Sequence, residues 1–267
     1  MSEIRAVHAG GCRFGNGEFV VIAGPCAVEN ERQIMRTAEA VAERGARILR
    51  GGAFKPRTSP YSFQGLGIEG LRLLHRAGRA SGLAVVTEVM SDTLVDTVAE
   101  YADILQIGSR SMENYALLAA AAQSGKPLLL KRGMTATVEE YAAVAEFVMA
   151  HGNRNVILCE RGIRTFGTAT RNTCDIVAVP LLHAMTGLPV IVDPSHATGR
   201  ADMIAPLACA AVAIGAAGLI VEVHPDPPHA LSDAEQSLTF DQFEEMMEAI
   251  APYLQAREMQ GARAVAV

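Results

Sequence analysis

Eight short apolar runs organise the chain, each followed by a stretch of helical periodicity. Val20 to Ala23, Arg47 to Arg50, Ala84 to Glu88, Ile104 to Ile107, Pro127 to Lys131, Val156 to Glu160, Pro189 to Asp193 and Leu219 to Val223 start roughly 20 to 37 residues apart. That spacing accommodates a strand, a turn and a covering helix. Eight such units predict an α/β fold, a (β/α)8 TIM barrel, in which the C-terminal ends of the strands carry the chemistry. Five of the eight runs end in a carboxylate, arginine or lysine.

Ahead of the first run, Cys12 to Val20 predicts a short β-hairpin turning at Asn16-Gly17, residues that tolerate the positive φ of a tight turn. Residues 1–19 are expected to form this N-terminal extension and to cover the barrel floor. Helices are expected at Glu31 to Arg44, Met112 to Ser124, Val138 to His151, Asn172 to Thr186, Ala201 to Ile214 and Phe240 to Leu254. The uncharged stretch Ala205 to Val221 approaches membrane-span length, but Pro206, Gly215 and Gly218 interrupt it. It reads as a buried helix running into a strand, with no membrane association.

The chain has 267 residues, and about 250 is usual for one such barrel, so residues 1–267 are expected to be a single catalytic domain without a separate regulatory one. Half the residues are apolar and 19% are charged, enough for both a barrel interior and a helix interface. A net charge of −6 excludes nucleic acid as the main partner, because binding to a phosphate backbone calls for a basic surface. The five cysteines show no C-x-x-C spacing, which points to a reducing cytoplasm rather than a disulfide framework. Gly65, Gly67 and Gly70 spell G-x-G-x-x-G, but a polar, proline-containing loop precedes them in place of a strand, so no dinucleotide site is expected.

Two groups of residues carry chemistry. Cys26 follows the first strand, His196 lies in Asp193-Pro-Ser-His196 after the seventh, Glu222 ends the eighth, and Asp233 follows eleven residues later. A thiolate, an imidazole and two carboxylates around one mouth suit a first-row divalent ion, Mn, Fe, Co, Zn or Cu, better than Mg or Ca. His224 and His229 are competing ligands, and Glu222 or Asp233 could act instead as a general base. The second group is cationic: Arg50, Lys55, Arg57, Arg110, Lys131, Arg132, Arg161 and Arg164 all fall at or just beyond strand ends. Gathered cations in an acidic protein predict a multiply charged anion, held in part by bidentate guanidinium groups. About half of the eight are expected to touch it and the rest to stand behind those, or some to pair with Glu88, Asp103 or Glu160. A nucleophilic Cys26 and a Schiff base on Lys131 are weaker alternatives.

Longer motifs narrow the reading. Gly24-Pro25-Cys26, Arg50-Gly-Gly-Ala-Phe-Lys-Pro-Arg-Thr-Ser-Pro-Tyr-Ser-Phe-Gln-Gly-Leu-Gly67, Gln106-Ile-Gly-Ser-Arg110, Leu130-Lys-Arg-Gly133, Leu158-Cys-Glu-Arg-Gly-Ile-Arg-Thr-Phe166, Asp193-Pro-Ser-His196 and the loop from Glu222 to Asp233 resemble the β subgroup of type I 3-deoxy-D-arabino-heptulosonate 7-phosphate (DAHP) synthases over essentially the whole chain. The resemblance implies condensation of phosphoenolpyruvate with D-erythrose 4-phosphate and release of phosphate, the first step of the shikimate pathway. It implies Cys26, His196, Glu222 and Asp233 as ligands of one divalent metal ion, Mn favoured. Arg50, Lys55, Arg110, Lys131 and Arg161 would bind phosphoenolpyruvate, Arg110 and Lys131 at its phosphate. Pro56, Arg57 and Thr58 would hold erythrose 4-phosphate. Catalysis would fall to Lys55, Cys26 and His196, with Lys55 or a metal-bound water protonating the new alkoxide.

The alternatives are 3-deoxy-D-manno-octulosonate 8-phosphate synthase, which uses arabinose 5-phosphate, and a non-catalytic barrel serving as a partner protein. Ser109 stands where many relatives have alanine. A homodimer or homotetramer is expected, a separate chorismate mutase is a candidate partner, and no inhibition by phenylalanine, tyrosine or tryptophan is expected.

Overall fold

In the computed structural model, which describes residues 5–55 and 61–265, eight parallel strands close into a barrel in chain order. They are β3 (Val20–Gly24), β4 (Ile48–Arg50), β5 (Ala84–Glu88), β6 (Ile104–Ile107), β7 (Leu128–Lys131), β8 (Val156–Glu160), β9 (Val190–Val192) and β10 (Gly218–Glu222), with β10 returning to β3. All eight predicted runs are strands, within a residue or two at either end. Helices α1 (Glu31–Glu43), α2 (Ile68–Ala80), α3 (Val95–Tyr101), α4 (Tyr115–Gln123), α5 (Val138–Ala150), α6 (Ala178–Thr186), α7 (Pro194–Thr198), α8 (Ile204–Ala213) and α9 (Phe240–Val265) follow the strands.

Strand side chains alternate between two cores, as a period of two demands. Val21, Leu49, Val85, Leu105, Leu130, Leu158, Val190 and Val221 pack outward against the helices. Ile22, Ile48, Val86, Ile104, Leu129, Ile157, Ile191 and Ile220 fill the interior. The interior cluster also takes in Val7, Ala9, Cys12 and Phe14, so the N-terminal extension plugs the floor as expected.

The hairpin itself differs from the expectation. Its strands are β1 (Val7–Ala9) and β2 (Cys12–Phe14), paired through a turn at Gly10-Gly11. Asn16-Gly17 does turn with positive φ, but it closes only the single bridge Gly15 to Glu18. Burial of every second residue, Val7, Ala9, Cys12 and Phe14, against the interior sets the register.

Helix boundaries also move, two of them furthest. The expected start of α6 at Asn172 is displaced to Ala178, because Thr173 exchanges backbone hydrogen bonds with Ile163 and Asn172 bonds Ala197 and His196. Those contacts hold the segment extended. Helix α9 continues beyond Leu254 and through Pro252. Among the described residues no helix is long and apolar enough to cross a membrane, and Ala205 to Val221 is α8 followed by β10.

Candidate active site

The parity that fills the interior continues upward into a charged crown. Two residues beyond Ile48, Val86, Ile104, Leu129, Ile191 and Ile220 stand Arg50, Glu88, Gln106, Lys131, Asp193 and Glu222. Apolar layers thus give way at the strand C-termini to ionisable groups facing a common axis. Register completes the assembly: Glu222 lies opposite Gly24, placing it beside Cys26 two residues on. Gly24 has φ +149, and a Cβ there would come within 2.2 Å of the Arg50 carbonyl oxygen, so only glycine lets β3 and β4 approach this closely.

His196 sits in α7, a five-residue helix that the sequence did not reveal. Its signals are conventional: Asp193 accepts the His196 N–H as N-cap, Pro194 occupies the first turn, and Gly199 ends the helix in the left-handed region. Asp233 arrives from the loop after β10 with a left-handed backbone, φ 52. This is an uncommon conformation for a residue with a side chain and one that clusters at functional sites.

Three of the four expected metal ligands form one cluster, and the fourth, His196, reaches two of them. Cys26, Glu222 and Asp233 each bring a donor atom within 4.8 Å of the others. His196 Nε2 lies 3.5 Å from Glu222 Oε1 and 3.8 Å from Asp233 Oδ2. Cys26 Sγ is 3.0 Å from Asp233 Oδ2, Ser232 Oγ and Lys55 Nζ alike. Glu222 is fully buried, and its Oε1 has no hydrogen-bond partner although Arg50 Nη2 is 3.2 Å away. A buried carboxylate oxygen left in that state is costly unless something else engages it.

Burial governs ionisation here. It pushes the Cys26 thiol up to about 12, with Glu222 adding to the shift and Lys55 opposing it. Burial also lowers the His196 imidazole, against the pull of Asp193. For Asp193 and Asp233 burial works the other way but loses: His196 and Lys131 hold Asp193 well below the usual carboxylate range, and His196, Cys26 and Arg171 lower Asp233. His224 and His229 do not join the site. His224 Nε2 faces Glu29 at 3.4 Å, and the exposed His229 pairs with Asp226 at 2.9 Å.

Beside these donors opens a cleft of about 100 Å³ whose wall includes Arg50, Lys55, Arg110, Lys131 and Arg161. Arg50 is buried with Nε and Nη1 unpartnered, and buried Arg161 donates to the neighbouring Gly162 carbonyl at 3.2 Å. Burial lowers the pKa of Arg161, and Arg171 reinforces that effect. Guanidinium groups drawn out of water and left short of acceptors make a site prepared for an anion.

Arg132 and Arg164 do not line the cleft. Arg132 and Glu160 follow the inward-facing Lys131 and Cys159, so they point outward and pair with each other at 2.9 Å. Arg164 is exposed. Asp103 accepts a backbone N–H of Val85, while Glu88 lines the cleft itself. Pro56, Arg57 and Thr58 lie outside the described residues. Asp193, Arg171, Ser232 and Gln236 are neighbours of the donor set that sequence reasoning missed. Of these, only Asp193 had a signal, its inward parity.

Comparison with known proteins shows the family. The model of the DAHP synthetase I family matches residues 3–256. The chain belongs to that family. It is 52% identical over 246 residues to a phospho-2-dehydro-3-deoxyheptonate aldolase of Thermotoga maritima, covering 92% of this chain and 73% of the relative. A crystal structure of a Thermotoga maritima protein of that name superposes with a TM-score of 0.92 at 51% identity, covering 95% of this chain and 74% of the other. A truncated form of the 3-deoxy-D-arabino-heptulosonate 7-phosphate synthase from the same organism gives 0.89 at 47%, covering 95% and 93%. A 2-dehydro-3-deoxyphosphooctonate aldolase of Magnetococcus marinus is 36% identical, covering 88% of this chain and 87% of its own length. The DAHP synthetase I family thus accounts for the barrel from floor to mouth.

Proposed function

We propose that the chain condenses phosphoenolpyruvate with D-erythrose 4-phosphate and water to give 3-deoxy-D-arabino-heptulosonate 7-phosphate and phosphate, using one divalent metal ion, Mn favoured. The observation that carries this is the contact between Arg50 and Glu222: a guanidinium with two unpartnered nitrogens beside a carboxylate oxygen with none, both buried. An anion would engage the former and a cation the latter. The converging thiol, imidazole and two carboxylates fit a first-row ion of intermediate softness, held by Cys26, His196, Glu222 and Asp233. When bound, the ion supplies Lewis acidity for the aldehyde oxygen.

The chain's own groups do the remaining work. Arg50, Lys55, Arg110, Lys131 and Arg161 neutralise phosphoenolpyruvate, Arg110 and Lys131 at its phosphate. Pro56, Arg57 and Thr58 hold the sugar phosphate. Clamping both substrates turns an encounter in solution into reaction between aligned neighbours. C3 of the enol phosphate then bonds to the aldehyde carbon, water adds at C2, and phosphate leaves with the electron pair of its C–O bond. Lys55, whose ammonium reaches both Cys26 Sγ and the Cys26 carbonyl at 3.0 Å, donates a proton to the new alkoxide. Residues 1–267 serve as one catalytic unit, working in the cytoplasm as a homodimer or homotetramer.

The test is loss of enol phosphate absorbance with erythrose 4-phosphate, before and after chelation and with metals added back. Turnover that vanishes on chelation and returns with metal is expected. Cys26→Ala abolishes phosphate release and metal retention together. Turnover with arabinose 5-phosphate alone would reassign the enzyme to 3-deoxy-D-manno-octulosonate 8-phosphate synthesis, and no turnover with either sugar would leave a non-catalytic barrel.

A further inference from the structure

Each carboxylate of the donor set has one oxygen turned toward the other donors and one turned away, and both outward oxygens are occupied. Glu222 Oε2 accepts from Gln236 Nε2 at 2.6 Å. Asp233 Oδ1 accepts from Arg171 Nη1 at 3.3 Å. The same Arg171 nitrogen donates to Gln236 Oε1 at 2.7 Å. The amide orientation of Gln236 is therefore forced, since only its carbonyl can accept from the guanidinium and only its NH2 can donate to the carboxylate.

Gln236 is buried, and it closes the short turn that the left-handed backbone of Asp233 opens. One loop thus delivers a donor residue and the group that restrains its neighbour. The inward oxygens, Glu222 Oε1 and Asp233 Oδ2, are the two that face His196 Nε2.

We propose that Arg171 and Gln236 are a positioning pair that limits Glu222 and Asp233 to one coordinating oxygen each, fixing the coordination number of the ion. This rests on the metal-dependent function proposed above. Outer hydrogen bonds of this kind orient ligands and commonly tune metal affinity by about 10- to 100-fold. With four single-atom donors from the protein, coordination positions remain open for substrate oxygens. A carboxylate free to bind through both oxygens would fill one of them.

The experiment uses the full chain loaded with Co(II), whose visible bands report coordination number and whose thiolate charge-transfer band reports Cys26. In Gln236→Leu, Glu222 Oε2 is released. The expected result is a weaker, shifted set of visible bands with the charge-transfer band kept, and an affinity changed about 10- to 100-fold in competition with a chelator. Arg171→Met and Arg171→Lys are expected to alter the spectrum similarly, because the first removes and the second, with its shorter side chain, withdraws the one nitrogen that donates to both acceptors. Arg171 is partly exposed, so its variants decide the matter should Gln236→Leu fail to fold. Bands and affinity unchanged in the folded variants overturn the positioning role while leaving the metal site intact. A wild-type protein with neither retained cobalt nor a charge-transfer band overturns the metal site itself, and the positioning role with it.

Discussion

Asp193 accepts the Nδ1–H of His196 at 2.8 Å and takes the ammonium of Lys131 on the same oxygen. That arrangement fixes the histidine tautomer with the Nε2 lone pair toward Glu222 and Asp233. It also ties a residue of the anion pocket to a residue of the donor set. In Asp193→Asn an amide replaces the charge between two donors and can turn its own N–H toward the imidazole. Metal affinity is expected to fall about 10- to 100-fold and the KM for phosphoenolpyruvate to rise as Lys131 loses its anchor. Metal titration and steady-state kinetics check both, and an effect on one alone would separate the two sites.

Lys55 yields a sharper kinetic signature. Lys55→Met removes the ammonium beside Cys26 and is expected to lower kcat by about 10²- to 10⁴-fold, the usual contribution of a positioned proton donor. The variant should still retain metal, since none of the four donors is removed. Phosphate release measured alongside metal content separates loss of the proton donor from loss of the ion.

Outside the crown, Arg132 braces the wall. It bonds both Glu160 and Asp175 at 2.9 Å, while Glu160 also accepts the Gly162 N–H at 2.7 Å. Burial pushes the Glu160 carboxyl up and Arg132 is the main force bringing it down. Arg132→Met leaves that carboxylate buried without its cation, expected to cost about 3–5 kcal/mol. The double change Arg132→Met with Glu160→Leu should recover much of it, as urea unfolding would show.

A pH dependence is built into α6. His183 Nε2 accepts the Val190 N–H at 3.1 Å where β9 begins, a bond only the unprotonated nitrogen can make. Burial, aided by Arg257, lowers its pKa from 6.5 to about 4. Below pH 6.5 the unfolded imidazole takes up a proton that the folded one refuses. Stability from this group is therefore complete above 6.5, declines as pH falls and is exhausted near 4. His183→Gln keeps an acceptor without titrating, so its Tm should gain on the wild type as pH drops through that window. Parallel curves would rule out the histidine as their source.

Much of this was legible from two numbers, the period of two within each strand and the repeat between strands. Parity alone separates the inward Lys131 from the outward Arg132, and the inward Asp193 from the outward Glu160, which an inventory of charges at strand ends merges. What escaped depends on tertiary partners. Residues 172–177 read as helix until Ile163 and Ala197 claim their backbone groups. Gln236 and Arg171 sit in loops with no periodicity, and their roles exist only because the loops after β8 and β10 meet. At the floor, Asn16-Gly17 carried the turn signal, yet the hairpin that buries Phe14 turns at Gly10-Gly11.

The plug formed by Val7, Ala9 and Phe14 turns the cylinder into a vessel with one opening. Reactants and products must share that doorway, so whatever rests deepest, against Arg50 and Lys131, is trapped by anything seated above it and departs only afterwards.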